Sequence, residues 1–477
     1  MNPIFITGEK TFIKDIIHDS IELSPIAKTI IDTPIFQRLR NLHQLGVCYL
    51  IFPNANNNRF EHSIGTYHLA GLLLERLIKN SNQNEINKGL IEINFIRNYL
   101  LKHFELVDNE ESILFLEKIN TVMIDDYLIE LIKIAGLVHD IGHGPFSHLF
   151  DEWLHSLPDI ANSKLAEHES RSIVLLKEII TNRKIKFGDE EYYMNEFIDD
   201  EAFEFISELI NPKESTPKNF IFQIISNSLN GLDVDKLDYL YRDSWYLGSG
   251  NPYDLSRVIS HVQVIGKNIC FPEKISYDIY KIFRSRYDLH KQFYTHKTTI
   301  CIEYMIRDIL KNLDPILEIS ESIKNENINN FIDLVDHTIL NTASILKNFN
   351  SIYMRWQKQI DSIQEIIKRI NDRDLYKCIL NETFYTNESI NKSELFDLFK
   401  SKYLADYKNF ILEDFDSPNI VVVKLKIGLL GGDKSHPLDS VYFYNNKNKS
   451  ILLDKTKISH IMSSLHQEII YYVLYIK

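Results

Sequence analysis

Leu128 to Val138 is an almost unbroken apolar stretch, interrupted only by Glu130 and Lys133. It runs directly into His139-Asp140-Ile141-Gly142-His143-Gly144-Pro145-Phe146-Ser147-His148. A helix this apolar has to be buried, so three histidines and an aspartate are carried into the interior. Imidazoles and a carboxylate are costly there unless a metal or a charged ligand meets them. Gly142, Gly144 and Pro145 end the helix, and Pro145 is placed to begin the next one.

Two further helical runs supply partners. Arg59-Phe60-Glu61-His62-Ser63 leads into Ile64, Leu69, Leu72, Leu73 and Leu77 at helical period, which puts His62 in a first turn. Leu232 to Leu247 reads as another helix, and its Asp235, Tyr239 and Asp243 share one face because four-residue steps stay in line. His62, His139, Asp140 and Asp235 are therefore candidate metal ligands from three helices. Two imidazoles with two carboxylates suit Fe, Mn, Zn or Co better than Mg alone. A metal there would acidify a bound water and polarise a phosphoryl oxygen.

His143, His148, His168 and Glu169 form the next ring. Histidine, with an ordinary pKa of about 6.5, is suited to deliver a proton to a leaving alkoxide. Asp151 follows His148 on the same helix and is placed to orient it. Singly, each of these is more often a helix cap or a bridging core residue; their number within so short a stretch points to chemistry. Phosphate binding needs fixed cations, and Arg59, Lys236, Arg286 and Lys297 stand near the proposed ligands or in the later run Arg284 to Lys297. Each alone is most often a solvated surface charge.

Composition sets the bounds. A chain of 477 residues, 44% hydrophobic and 25% charged, can bury a large core in two or three domains. Its net charge of −13 argues against broad nucleic-acid binding but not against a local basic pocket. No apolar run reaches the roughly 18 residues of a membrane span. The first residues, Met1-Asn2-Pro3-Ile4-Phe5-Ile6, have no basic segment leading into an apolar one, so secretion is not expected. Cys48, Cys270, Cys301 and Cys378 lie far apart, as reduced thiols of an intracellular, cytosolic or nuclear protein would.

The first three quarters of the chain read as helical, including Pro25 to Arg40 with a break at Pro34. Asn80 to Asn120, polar and rich in Asn and Glu, reads as an insertion. Thr181 to Asp200 and Ser320 to Asn330 read as surface connections. After Lys377 the pattern turns β-rich: Asn419 to Ile427 and Ser440 to Tyr444 as strands, Gly431-Gly432 and Asn445-Asn446 as turns. The expectation is a mainly α protein, with a helical catalytic core over 1–376 and a smaller α+β module over 377–477.

Several stretches together resemble one family. They are Gln37-Arg38-Leu39-Arg40, Gln44-Leu45-Gly46, Phe52-Pro53, Asn58 to Ser63, Ala135-Gly136-Leu137, His139 to His148 and Asn230 to Tyr239. They are similar to those of the HD-domain deoxynucleoside triphosphate triphosphohydrolases, especially animal members that carry a sterile-alpha-motif domain ahead of the HD domain. No such preceding domain is expected here. The resemblance covers about Ile13 to the C-terminus, apart from the Asn80 to Asn120 stretch. It implies attack of water on the α-phosphate of a dNTP, releasing a deoxynucleoside and triphosphate.

By that resemblance His62, His139, Asp140 and Asp235 hold the metal (Fe, Mn, Zn or Mg), and His143 touches the α-phosphate. His148 is the general acid or supports it, with His168, Glu169 and Asp151. Arg59, Lys236 and Arg286 bind phosphates, Tyr239 and Asp243 contact the sugar, and Gln44 meets its 3′-hydroxyl. Leu45 and Tyr294 crowd the 2′ position and exclude ribonucleotides, while all four bases are tolerated. Thr295 departs from the family's glutamine beside the tyrosine, so base contacts are expected to differ.

The resemblance also implies a nucleotide-driven oligomer, a dimer or tetramer, activated by GTP or a dNTP. Asp32, Gln37, Arg40, Arg257, Lys274, Arg373 and Lys377 match its regulatory residues, whereas Thr11, Lys14 and Pro272 depart from the pattern. An altered activator preference or a weaker dependence on the activator is expected. The competing readings are a nuclease or phosphodiesterase with the same metal set, and a silent nucleotide sensor.

Overall fold

Each of the three helices that carry the proposed ligands begins with a side-chain cap. Asn58 accepts from the Glu61 N–H at 3.3 Å while the Glu61 carboxylate accepts from the Asn58 N–H at 3.0 Å, opening the helix Arg59–Asn80. Asp125 accepts from Leu128 N–H at 3.0 Å ahead of Asp126–Val138, and Asp233 from Lys236 N–H at 2.9 Å ahead of Val234–Tyr246. These caps fix where each helix starts, and therefore where His62 and Asp235 point. The first two helices pack directly: Thr66 Oγ1 donates to the Gly136 carbonyl at 2.7 Å. Leu69, Leu73, Leu131, Ile134, Leu137 and Leu240 are buried in the core around them.

The computed structural model describes residue 6 and residues 8–476, apart from 120, 122, 188, 327–328, 385–389, 403–414, 431–434, 448, 460–461 and 463–465. The fold is mainly α with small sheets. Among the described residues no helix is long and apolar enough to cross a membrane. Pro34 breaks the early helical run as expected, separating Pro25–Ile31 from Pro34–Gln37. An antiparallel hairpin, Thr11–Asp15 with Asp19–Leu23, precedes them.

One expectation needs correction, and three stretches carry more regular structure than their composition suggests. Pro145 does not begin the next helix: Phe146 and Ser147 both adopt positive φ (59° and 61°), so the helix starts only at His148. The Asn80 to Asn120 stretch is helical, as Gln83–Ile91, Asn94–His103 and Glu110–Glu117, and buries Ile86, Leu90, Ile96, Leu100 and Leu116 in the main core. Thr181 to Asp200 holds a hairpin, Lys184–Phe187 with Glu190–Tyr193. Ser320 to Asn330 contains most of the helix Ile319–Lys324. In each, a few apolar residues suffice to form a short element that charge and Asn content disguise.

The strands expected after Lys377 are present. Lys377–Phe384, Gln467–Tyr475 and Ile420–Gly428 form an antiparallel sheet in that order. Tyr442–Tyr444 instead joins a four-stranded sheet, running parallel to Asn268–Pro272 with Cys270 opposite Tyr442. The turn at Asn445-Asn446 follows it, while Gly431-Gly432 lies outside the described residues. The C-terminal strands reach the main helical body: the Arg286 guanidinium donates to the Gly428 carbonyl at 2.8 Å.

Candidate active site

The turn His139 to His148 is held open by two buried arginines. Arg38 donates to the carbonyls of Ile141 (3.0 Å) and His143 (2.9 Å), and Arg171 to that of Gly142 (2.8 Å). Ser172 Oγ donates to the His139 carbonyl at 2.6 Å and accepts from Gly142 N–H at 2.8 Å. A side chain at 142 would have its Cβ 2.1 Å from the His168 carbonyl oxygen, so only glycine fits there. The positive-φ pair Phe146-Ser147 is pinned as well. Asp336 accepts from Phe146 N–H at 2.6 Å, and Ser147 Oγ donates to the His43 carbonyl (2.7 Å) and accepts from Arg59 Nε (2.8 Å).

The structure brings His62, His139, Asp140 and Asp235 together. His62 Nε2 is 3.1 Å from Asp235 Oδ1 and 3.5 Å from Asp140 Oδ2. His139 Nε2 is 3.5 Å from Asp235 Oδ1 and 3.4 Å from Asp140 Oδ1. Donor atoms of His62, His139 and Asp235 all lie within 4.8 Å of one another. The opposite nitrogen of His139 is engaged by the Gly136 carbonyl at 2.8 Å, and His139 Nε2 is buried with no hydrogen-bond partner among the described residues beyond these distant carboxylates. Two imidazole nitrogens and carboxylate oxygens converging on one point fit a divalent metal.

Buried carboxylates and imidazoles set the charge balance here. Burial opposes protonation of His62, yet hydrogen bonds to Asp235 and Asp238 outweigh it and raise its pKa to about 10. Burial would also raise Asp140, but Arg59, then His139 and His143, hold it well below the usual carboxylate range. Asp238 was not singled out from sequence. It accepts from His62 Nδ1 at 2.8 Å and from Arg242 Nε at 2.9 Å, packed against Gly65 one turn after His62. A Cβ at 65 would lie 2.1 Å from Asp238 Oδ1 and 2.5 Å from Arg242 Nη2. Gly65→Ala is expected to destabilise the protein by about 1–3 kcal/mol, read as a lower denaturant midpoint; an unchanged midpoint would show that the pair can simply move aside.

The next ring is also assembled, with one reassignment. His143 stacks on His168 (centroids 3.7 Å apart, 20° between planes), and His148 meets His143 edge-on at 5.0 Å. Asp151 does not orient His148. Its Oδ2 lies 2.7 Å from His168 Nδ1, and its other oxygen is paired with Arg171. Asp151 shares a helix face with His148, but both of its oxygens are taken by partners from the following helix, His168–Asn182. Glu169 also approaches His168 Nδ1, at 3.4 Å. His143, His148, Asp151 and His168 could by distance form a second metal-binding group, but the Arg171 guanidinium on Asp151 already supplies the positive charge.

His143 is fully buried, and among the described residues neither ring nitrogen has a well-formed hydrogen-bond partner, although Nε2 lies 3.4 Å from Asp140 Oδ1. Burial, then Arg59 and His168, keep its pKa well below the ordinary histidine range. The His148 residue is open to the cavity, but its ring is hemmed in by neighbouring groups. Their displacement of water, followed by Arg59 and His168, lowers its pKa to about 4.

His139, Asp140, Asp235, Arg59, His143, His148, His168 and Glu169 line one cavity of about 850 Å³, together with Gln44, Leu45, Lys236, Tyr239, Asp243, Arg286 and Tyr294, whereas His62 and Asp151 stand behind that lining. Tyr294 OH donates to Asp243 Oδ2 at 2.5 Å and Asn57 Nδ2 to Asp243 Oδ1 at 2.7 Å, while burial raises the Asp243 pKa to about 6. Tyr294 is delivered by a π-helical turn, His290–Tyr294, which also brings His290 to the lining. Asn57 and His290 escaped the sequence reading. Asn57 precedes the cap residue Asn58, and no periodic pattern marks either. Lys297 is exposed and does not belong to the lining.

The regulatory candidates lie outside this cavity. Gln37 donates to the Ile31 carbonyl at 2.8 Å, Arg40 Nε donates to Gln37 Oε1 at 2.8 Å, and the Arg40 guanidinium sits 3.5 Å over the Phe60 ring. Asp32 is exposed close by in sequence and pairs with Lys28. Arg257 is 3.4 Å from Asp278, Arg373 donates to the Leu50 carbonyl at 2.9 Å, and Lys274 and Lys377 are exposed.

Comparison with known proteins gives a consistent picture. The HD domain model matches residues 118–243. An HD domain-containing protein of Acanthamoeba polyphaga mimivirus is 35% identical over 96% of this chain and 90% of its own length. The deoxynucleoside triphosphate triphosphohydrolase SAMHD1 homolog of Dictyostelium discoideum is 34% identical over 96% of this chain and 75% of its own. The deoxynucleoside triphosphate triphosphohydrolase SAMHD1 of Homo sapiens is 32% identical over 94% and 68%, respectively.

Proposed function

The chain belongs to the HD-domain deoxynucleoside triphosphate triphosphohydrolase family, and from that premise we propose how its cavity divides the work of a metal-dependent dNTP triphosphohydrolase. The observation that carries the reading is a concentration of buried polar atoms without hydrogen-bond partners among the described residues: Gln44 Oε1, Arg59 Nη2, His139 Nε2 and both nitrogens of His143. Buried polar groups are rarely left unsatisfied. Here they belong to residues that line the same cavity, as expected of a site built for a polar, highly charged ligand.

His62, His139, Asp140 and Asp235 would hold the divalent metal, which supplies Lewis acidity at the scissile phosphate. The family's Fe, Mn, Zn or Mg all accept such oxygen donors, and the two imidazoles favour the transition metals. Arg59 and Lys236, both buried, and Arg286 neutralise the triphosphate. Water attacks the α-phosphorus, the bond from phosphorus to the nucleoside 5′-oxygen breaks, and that oxygen takes up a proton from His148. Arg59 is one of the groups that depress the His148 pKa. Phosphates bound against Arg59 oppose that influence and favour the protonated imidazole the step requires. His143 contacts the α-phosphate, and His168, fixed by Asp151 and flanked by Glu169, supports the acid.

At the sugar end, Asp243 is held from two sides as a fixed acceptor, next to Tyr239 and Gln44. Leu45 and Tyr294 fill the space an extra 2′-hydroxyl would need. The exposed patch of Asp32, Gln37 and Arg40, with Arg257, Lys274, Arg373 and Lys377 elsewhere on the surface, supports a regulatory GTP or dNTP site that drives a dimer or tetramer. The 1–376 core and the 377–477 module are proposed as the chain's two parts.

The test is product analysis. Purified protein with each dNTP and Mn²⁺ or Mg²⁺, with and without GTP, should yield deoxynucleoside and intact triphosphate, and size-exclusion chromatography in parallel should show assembly on nucleotide addition. Diphosphate and deoxynucleoside monophosphate as products would overturn the assignment of the bond that breaks.

A further inference from the structure

We infer that the N-terminal hairpin is part of the metal centre, with His18 as a positioning residue for His62; this rests on the proposed ligand role of His62. His62 can offer Nε2 to a metal only if Nδ1 carries the proton. Asp238 Oδ2, 2.8 Å from Nδ1, selects that tautomer and fixes the ring plane. Asp238 is fully buried, and its other oxygen lies 2.6 Å from His18 Nε2. His18 reaches it across 220 residues of chain from the turn that joins the two strands.

That turn is built for the purpose. Asp15 Oδ1 accepts from the Ile17 and His18 N–H groups, both at 2.8 Å, which sets the backbone that presents His18. The second Asp15 oxygen takes Arg242 Nη1 at 2.8 Å, and Arg242 in turn grips Asp238 through Nε at 2.9 Å and Nη2 at 3.0 Å. Asp238 is therefore constrained from two directions, and both constraints trace back to Asp15 and the hairpin.

The experiment is Co²⁺ titration of metal-free protein, followed by its visible d–d absorption, for wild type and for His62→Ala, His18→Ala, His18→Gln and His68→Gln. His68 lies beside His18, the ring centroids 5.2 Å apart and the planes tilted by 40°, and so controls for packing alone. His18→Ala is expected to bind Co²⁺ about 10–100-fold more weakly with an altered spectrum. His18→Gln, which keeps an N–H donor and guards against a folding failure in the alanine variant, should bind more tightly than His18→Ala. Wild-type affinity and spectrum in His18→Ala, or an equal loss in His68→Gln, would overturn the inference while leaving the ligand set intact, provided His62→Ala loses Co²⁺. If His62→Ala binds as wild type does, the ligand assignment itself falls, and this inference with it.

Discussion

Asp140→Ala is expected to lose both the bound metal and essentially all turnover, and to lose stability as well. In the folded protein the Asp140 carboxylate faces His62, His139 and His143 and is paired with the buried Arg59. Removing it takes a ligand from the proposed metal set and leaves a buried guanidinium with, among the described residues, only Ser147 Oγ as hydrogen-bond partner. Breaking one side of a buried ion pair typically costs about 3–5 kcal/mol. Asp140→Asn separates the two effects. Its amide oxygen still accepts from Arg59, so most of the stability should return while metal content and activity do not. Metal analysis, denaturant unfolding of the metal-free proteins and triphosphate release make the comparison. An Asp140→Ala variant with full metal content would place the cation elsewhere, and the second histidine-rich group around His168 would then be the place to look.

His148→Ala should produce the complementary result: metal retained, and kcat lower by about 10²–10⁴-fold, the usual contribution of a positioned acid or base. His148 is open to the cavity and meets its neighbours only by ring edges, so truncation leaves the fold undisturbed. The loss should fall on kcat, because the phosphate-binding cations remain. A substrate with a better leaving group than a deoxynucleoside 5′-oxygen should recover part of the rate, since it needs less help from an acid. Unchanged turnover would remove His148 from the reaction; a shared loss of metal would make it a ligand.

The parts of this site that a sequence displays are those built by local geometry. His139 and Asp140 are adjacent at the end of an apolar helix, and Asp235, Tyr239 and Asp243 recur at four-residue steps, so a reader of periodicity finds them. Contacts closed by tertiary packing are not displayed in this way. Asp151 was matched to His148, its neighbour on the helix, whereas the fold gives it to His168 from the next helix. Asp238 stands only three residues after Asp235, a spacing that could have flagged it. Its partners His62 and His18 lie far away, and nothing in the hairpin's composition announces a role. The helices between 83 and 117 were hidden for a different reason. Their few apolar residues are spread among Asn and Glu, and only the core against which they pack reveals their order.

The wall of the cavity has an implication for synthesis. Every proposed ligand lies before residue 244, but Val422 and Lys424 of the last sheet also line the space, and Arg286 is tied to Gly428. A nascent chain leaving the ribosome thus carries its whole metal-binding set long before the far side of the chamber exists. Metallation can precede closure, while selection of the nucleotide must wait for nearly the entire polypeptide.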